Sequence, residues 1–298
     1  MVKVVTLLAY GQLLQVVPEL GAAISRYAVE CDNVWYDFLR PATSQAIAQG
    51  DISGMASFLM APWAGRIQNG RFDYHGKTIH YPSRITGLAH SMHGFTRDMP
   101  WQIVEQTQDC LVLRFVHQAT EEWPFSFDMV QTYHLTEDGL SIDVEVQNTG
   151  LEVMPFSMGH HPFFPIDGET TLYAHVQQAW FSDDELMPTH LDNHPLVQRL
   201  AMGYPVQEGS WDTIFTGWDK SATIEWSNRR LSYTVSTPMD FFVLYNPTGE
   251  TWFCAEPFGN ITDSFNLREK FPRQNIGGLD IATGNKLKTY FCLKPAFY

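Results

Sequence analysis

The sequence predicts an all-β protein, a large antiparallel β-sandwich. Three observations carry this expectation: a long ribbon of period-two alternation, a series of short apolar runs punctuated by turn residues, and almost no helical pattern. The ribbon is clearest where Leu140, Ile142, Val144 and Val146 alternate with Ser141, Asp143, Glu145 and Gln147, as in a strand with one buried face. Upstream, Phe125, Phe127, Met129, Tyr133 and Leu135 repeat the alternation, and Glu137-Asp138-Gly139 supplies the turn of a hairpin. Similar runs recur at residues 2–7, 12–17, 22–30, 111–117, 231–237, 241–246, 251–255 and 287–293, separated by Gly, Pro, Asn and Asp clusters. Only residues 42–49 read as helix. A half-buried sheet must cover its apolar face with another layer, so this many strands imply two packed antiparallel sheets. Between residues 165 and 230 the alternation fades into Pro-, Gly- and Asp-rich sequence, which is expected to form long loops over a sheet face. No linker or repeat interrupts the chain, and residues 1–298 are expected to form one domain.

Composition narrows the function classes. With 19 Lys plus Arg against 33 Asp plus Glu, the net charge of −14 repels phosphate backbones and anionic lipid surfaces, so neither nucleic acid nor membrane is expected as a partner. Cys31, Cys110, Cys254 and Cys292 lie far apart and form no paired short spacing of a zinc or redox motif; they read as reduced core thiols. The apolar run from Val4 to Ala9 is broken by Gln12 and Gln15 and reads as a first strand pair rather than a secretory core. No stretch approaches the ~20 apolar residues that span a bilayer, and the expectation is a soluble, cytoplasmic protein.

Several enzyme classes leave no motif here: Gly-x-Ser-x-Gly, His-Glu-x-x-His and a dinucleotide fingerprint are all missing. Gly76-Lys77-Thr78 resembles the end of a phosphate loop, but Arg71 stands where that loop needs Gly, and the flanks read as a hairpin. What remains is a grouping of histidines in Gly- and Pro-marked segments: His90 and His93 before Gly94-Phe95, and His160 and His161 before Pro162-Phe163-Phe164. A His beside aromatics is more often a hydrogen-bonded structural residue than a functional one. Zinc could take His90, His93 and one of the pair, yet the spacing matches no zinc signature and no metal is expected. Glu256, between the apolar run Trp252-Phe253-Cys254-Ala255 and Pro257, is expected to cap a strand where backbone pairing stops, a place suited to a catalytic carboxylate.

At these segments the chain resembles the aldose 1-epimerase, or galactose mutarotase, family, in five blocks that keep one order along the sequence. Pro62-Trp63-Ala64-Gly65-Arg66-Ile67-Gln68-Asn69-Gly70-Arg71-Phe72 is similar to the segment whose Arg reaches the sugar, which selects Arg66. His93-Gly94-Phe95-Thr96-Arg97-Asp98-Met99-Pro100-Trp101 resembles the block whose first His contacts sugar hydroxyls, which selects His93 over His90. Met158-Gly159-His160-His161-Pro162-Phe163-Phe164 resembles the segment of the catalytic His, which directly precedes Pro and so selects His161 over His160. Trp211-Asp212-Thr213-Ile214-Phe215 is similar to the segment whose Asp hydrogen-bonds substrate, and Cys254-Ala255-Glu256-Pro257 to the block of the catalytic Glu. The resemblance thus implies a mutarotase-like sandwich with Glu256, His161 and His93 as catalytic candidates and Arg66, His93 and Asp212 as sugar-binding candidates. Gly65 stands where many members place Asn, and Val243 where some carry Gln shortly before Tyr245. Both remove amides that contact sugar, which turns the expectation away from galactose itself.

The implied reaction is exchange of the α and β anomers of a free aldose. Glu256 would take the proton from the C1 hydroxyl while His161 delivers one to the ring oxygen, and the roles reverse on closure. Only protons move, so no cofactor is expected; the partner is a small sugar. Partial burial beside Pro257 and Phe258 is expected to raise the Glu256 pKa above the ordinary ~4.3. Within the family the alternative is a hexose 6-phosphate, held by an anion pocket of Arg66, Arg71 and Arg97. Outside enzymology it is a sugar-binding module without turnover on the same fold. Glycoside hydrolysis ranks last, because it asks for two carboxylates flanking the bond.

Overall fold

The structure, a computed structural model, describes residues 2–298. Its frame is an eleven-stranded and a nine-stranded antiparallel sheet. The expected ribbon forms the middle of the smaller sheet: Phe127–Thr136 pairs with Gly139–Asn148 from Phe127 opposite Asn148 to Thr136 opposite Gly139. Leu140, Ile142, Val144 and Val146 are buried as their alternation demands, together with Phe127, Met129, Tyr133 and Leu135. The strand Lys286–Phe297 then joins this hairpin to Arg229–Val235.

The larger sheet has a different burial pattern. Its adjacent strands Ser57–Met60, Gly159–Pro165, Trp252–Phe258 and Phe241–Tyr245 are buried on both faces almost throughout. One face, with Leu59, Phe164, Phe242, Leu244, Phe253 and Ala255, joins the core shared with the other sheet. The opposite face, with Phe58, Met60, Phe163, Val243, Cys254 and Phe258, packs under Met55, Ala64, Ile261 and Ile276 from segments that cross it. Burial on both faces explains why Phe241–Tyr245 and Trp252-Phe253-Cys254-Ala255 read as continuous apolar runs rather than as alternation.

Three sequence expectations need correction. Residues 165–230 are not long loops: they hold the strands Thr171–Ala174, Gln178–Ser182, Pro188–Asp192, Tyr204–Pro205, Asp212–Thr216 and Ser221–Glu225. At two to five residues, and partly exposed, these strands are too short to show a period. The same region contains the helix Pro195–Met202, so Ser44–Gln49 is not the only helix; Pro195 at its start and the His194 cap, which accepts from the Leu196 amide, were legible start signals. Finally, Cys254 alone of the four free cysteines is fully buried.

Packing at the sandwich centre is aromatic. Phe127 is fully buried and its ring meets Phe95, Phe115, His117 and Phe156. Truncation of such a ring removes its transfer energy and leaves a cavity. We expect Phe127→Ala to lower unfolding free energy by about 3–5 kcal/mol in urea denaturation followed by circular dichroism.

Candidate active site

The site is written in the strand register. Gly159 lies opposite Phe258 and Phe163 opposite Cys254, which sets His161 beside Glu256. On the far side of Glu256 stands Val243, then Ile214; on the far side of His161 stands Phe58. In an antiparallel sheet such a row shares one face, here the outer one. The same period-two rule separates the adjacent histidines. His160 points the other way, between the sheets, with its ring centroid 5.0 Å from that of Phe291, while His161 points out into the site. Glu256 is not at a strand end as expected but inside Trp252–Phe258, paired with Val243 on one side, while on the other the ladder to Gly159–Pro165 is interrupted between the Gly159–Phe258 and Phe163–Cys254 pairs.

Two further segments fold over this row. His93 and Gly65 are locked together reciprocally: the Gly65 amide donates to His93 Nδ1 at 3.1 Å, and the His93 amide donates to the Gly65 carbonyl at 2.8 Å. Because Nδ1 accepts, the proton of a neutral His93 sits on Nε2, leaving a donor. Asn260 grips the backbone of Ala64 in both directions, its Oδ1 accepting from the amide at 3.0 Å and its Nδ2 donating to the carbonyl at 2.8 Å. The Asp263 amide donates to the Arg66 carbonyl at 2.7 Å, fixing the residue that carries the guanidinium. Gly94 approaches the backbone so closely that a Cβ there would lie 1.9 Å from the Ala61 carbonyl oxygen.

The result is a cleft of about 170 Å³ lined by Arg66, His93, His161, Asp212 and Glu256 on its polar side and by Met92, Ile214, Val243, Tyr245 and Phe258 on its apolar side. All five sequence candidates therefore meet in one place. His161 Nε2 lies 3.5 Å from Glu256 Oε2, and neither Glu256 Oε2 nor His161 Nδ1 has a hydrogen-bond partner among the described residues. Burial raises the Glu256 carboxyl well above its usual range, the nearby Asp212 carboxylate adds to the rise, and Arg66 opposes it. Burial also lowers His161 to about 3, reinforced by the positive charges of Arg97 and Arg40. His93 is lowered for the same reason, desolvation first and Arg97 next. Asp212 stands open to solvent at the rim; the protein crowding it raises its carboxyl, and Arg66 tempers the rise. The resting pair is thus a neutral imidazole beside a carboxyl that holds its proton far more tightly than a free one.

Other expectations resolve differently. His90 is structural: its Nδ1 accepts from the Asn69 amide at 3.0 Å and its Nε2 faces Glu185 at 3.5 Å. Arg66, Arg71 and Arg97 do not form an anion pocket, since Arg71 is exposed on the hairpin Arg71–Tyr74/Lys77–His80 and Arg97 lines a neighbouring cleft with Tyr81 and Asp98. Gly65 has φ +69°, and a side chain there would meet Thr262 Oγ1 at 2.9 Å, so the missing amide has no room. Sequence reading missed Met92, Ile214, Tyr245 and Thr262 as cleft residues; they are ordinary residues whose only distinction is position.

The two large sheets and the cleft on the outer face of one of them define a galactose mutarotase-like fold. The aldose 1-epimerase family profile matches residues 3–276, and the chain belongs to that family. It is 26% identical over 276 residues to the uncharacterized protein YphB of Escherichia coli K12, covering 88% of this chain and 90% of that one. Among solved structures it is similar to a galactose mutarotase-like protein of Clostridium acetobutylicum (TM-score 0.87, 18% identity, 100% and 99% of the two chains). It is also similar to galactose 1-epimerase of Lactobacillus acidophilus NCFM (TM-score 0.77, 13% identity, 97% and 92% of the two chains).

Among the described residues no helix is long and apolar enough to cross a membrane.

The buried histidines carry a stability consequence. His160, like His161, has its pKa lowered to about 3 by burial. Each is neutral when folded but takes up a proton on unfolding below its ordinary value, so its stabilising contribution is full above ~6.5 and is lost as pH falls toward 3. Between about pH 6 and pH 4 we expect the unfolding free energy of His160→Leu to fall less steeply than that of the unaltered protein. The difference should be roughly 1.4 kcal/mol per pH unit, one proton's worth, in urea titrations.

Proposed function

We propose that the protein is an aldose 1-epimerase that opens and recloses a free monosaccharide ring, with Glu256 and His161 as the proton-transferring pair. The observation that carries this reading is that pair itself: two titratable groups 3.5 Å apart, buried side by side at the base of a cleft whose other polar groups are all hydrogen-bonding side chains. Anomer exchange needs one acid and one base acting on the C1 hydroxyl and the ring oxygen together. The pair shares one proton, either as carboxyl and imidazole or as carboxylate and imidazolium. Burial favours the uncharged distribution in the protein alone, and sugar hydroxyls bonded to the carboxylate or the imidazolium stabilise the charged one. From there Glu256 takes the C1 hydroxyl proton and His161 gives its proton to the ring oxygen. Rotation about C1–C2 then turns the aldehyde over, and the reverse transfers close the ring.

Arg66, His93 Nε2 and Asp212 hold the remaining hydroxyls, and His93 also donates into the reacting region beside His161, its ring centroid 5.3 Å away. The cleft's 170 Å³ is below the roughly 300–1,000 Å³ of sites for drug-sized ligands, which fits a single sugar unit rather than an oligosaccharide. The carboxylate that acts on Glu256 is Asp212, exposed at the rim, while the close partner of Glu256 is a histidine, which argues against glycoside hydrolysis. The lack of convergence among Arg66, Arg71 and Arg97 favours an unphosphorylated sugar. A cytoplasmic location and a single catalytic domain complete the reading.

The direct test follows optical rotation of freshly dissolved α-anomers of several aldoses. Glu256→Gln and His161→Asn should each slow the catalysed rate by about 10²–10⁴-fold; rates unchanged in both would overturn the mechanism. The pH profile gives a second test. Activity requires the shared proton, so kcat/KM should fall on the alkaline side through the raised Glu256 value, well above 4.5. Asp212→Asn removes a negative neighbour, and its alkaline limb should move to lower pH as its KM rises. An unmoved limb would show that Asp212 does not act on Glu256.

A further inference from the structure

Alternation along Trp252–Phe258 puts Cys254 on the same face as Glu256, one step along the strand. Its neighbour across the register is Phe163, two residues from His161. A nitrogen of His161, Cys254 Sγ and a Glu256 oxygen all lie within 4.8 Å of one another, and all three residues are buried. The thiol has no part in the proton chemistry and does not line the sugar cleft. Two atoms of the trio's residues, Glu256 Oε2 and His161 Nδ1, are buried without a hydrogen-bond partner among the described residues.

We propose that His161, Cys254 and Glu256 form a binding site for a thiophilic divalent cation of the zinc class, and that its occupation excludes sugar from the cleft. The donor set is one imidazole nitrogen, one thiolate and one carboxylate, the types zinc accepts, at about 2.0–2.1 Å for nitrogen, 2.3 Å for sulfur and 2.0–2.2 Å for oxygen. Tetrahedral bonds of those lengths separate ligand atoms by roughly 3.3–3.6 Å. The 3.5 Å between His161 Nε2 and Glu256 Oε2 already meets this spacing, and the widest separation in the trio needs to close by only about 1 Å. A water molecule completes the four-ligand shell. Magnesium and calcium prefer all-oxygen sets and do not fit a site with one thiolate and one imidazole. Burial holds the protons of the Cys254 thiol and the Glu256 carboxyl tightly, so loading displaces both to solvent, and the thiolate and carboxylate left behind balance the two positive charges of the ion. Loss of sugar turnover on loading rests on the function proposed above, because the ion holds both proton-transferring groups; binding of the ion does not.

The experiment titrates the intact protein with zinc alone by calorimetry and, separately, with cobalt(II), whose bond to a thiolate gives a charge-transfer band in the near ultraviolet. We expect one equivalent bound, a thiolate band, loss of that band in Cys254→Ser, and zinc binding weakened by about tenfold or more in that variant. Cys254→Ala provides the same comparison should the serine variant fold poorly. Cys254→Ser should keep the unaltered protein's mutarotation rate without metal while losing inhibition by zinc. No thiolate band in the unaltered protein, or a band and zinc affinity retained after Cys254 is replaced, would overturn the site. Because the metal titrations do not depend on turnover, binding without any mutarotase activity would sustain the cation site while removing the proposed function.

Discussion

Everything at the candidate site depends on one pairing, the antiparallel register of Gly159–Pro165 against Trp252–Phe258. It sets His161 beside Glu256, and the period-two geometry of a strand then decides which residues share their face. A one-residue slip of Gly159–Pro165 against its partner would turn His161 inward between the sheets and bring His160 outward, because every side chain of the slipped strand changes face. That register is held by the core itself: Phe164, Phe253 and Ala255 interlock on the inner face, and the Tyr233 hydroxyl, from the opposite sheet, donates to the Ala255 carbonyl at 2.9 Å. Packing on one face of the sheet thereby fixes chemistry on the other.

The crossing segments turn that row into a closed environment. Asn260, Asp263 and the reciprocal His93–Gly65 bonds fasten the chain at residues 64–66 above the sheet, supplying Arg66 and His93 while shutting out water. Enclosure explains both shifts at once. A carboxyl that loses water resists ionisation and an imidazole that loses water resists protonation, so desolvation drives Glu256 up and His161 down. The unpartnered atoms are the cost of this arrangement, about 1–3 kcal/mol for each buried polar group left without a bond. A ligand's hydroxyls can supply the missing partners, which is why destabilised groups collect where a ligand is meant to bind.

The parts of the fold that could be read in the sequence are those with long, one-sided strands. Leu140 to Val146 could be recognised because one face meets the core and the other meets water. The strands of residues 171–225 could not, being short and peripheral, and Glu256 was placed at a strand end because Pro257 follows it. Proline lacks a backbone donor, yet the strand continues through Phe258, paired with Phe241 on one side and Gly159 on the other. The departure at Gly65 was visible as a residue difference, but its cause, contact with Thr262, belongs to a segment nearly two hundred residues away.

Sequence by itself determined the all-β class, the central hairpin, the family resemblance and, through ordered motifs, the five residues that line the polar side of the cleft. It could do so because alternation and local motif order are properties of neighbouring residues. Tertiary structure alone decided that His161 and Glu256 touch, that Arg66, Arg71 and Arg97 do not converge, that Ile214, Val243 and Tyr245 form an apolar wall, and that Cys254 stands within reach of the pair. Those are relations between strands and loops far apart in the chain, set by register and burial, and no local pattern encodes the distance between two side chains that only folding brings together.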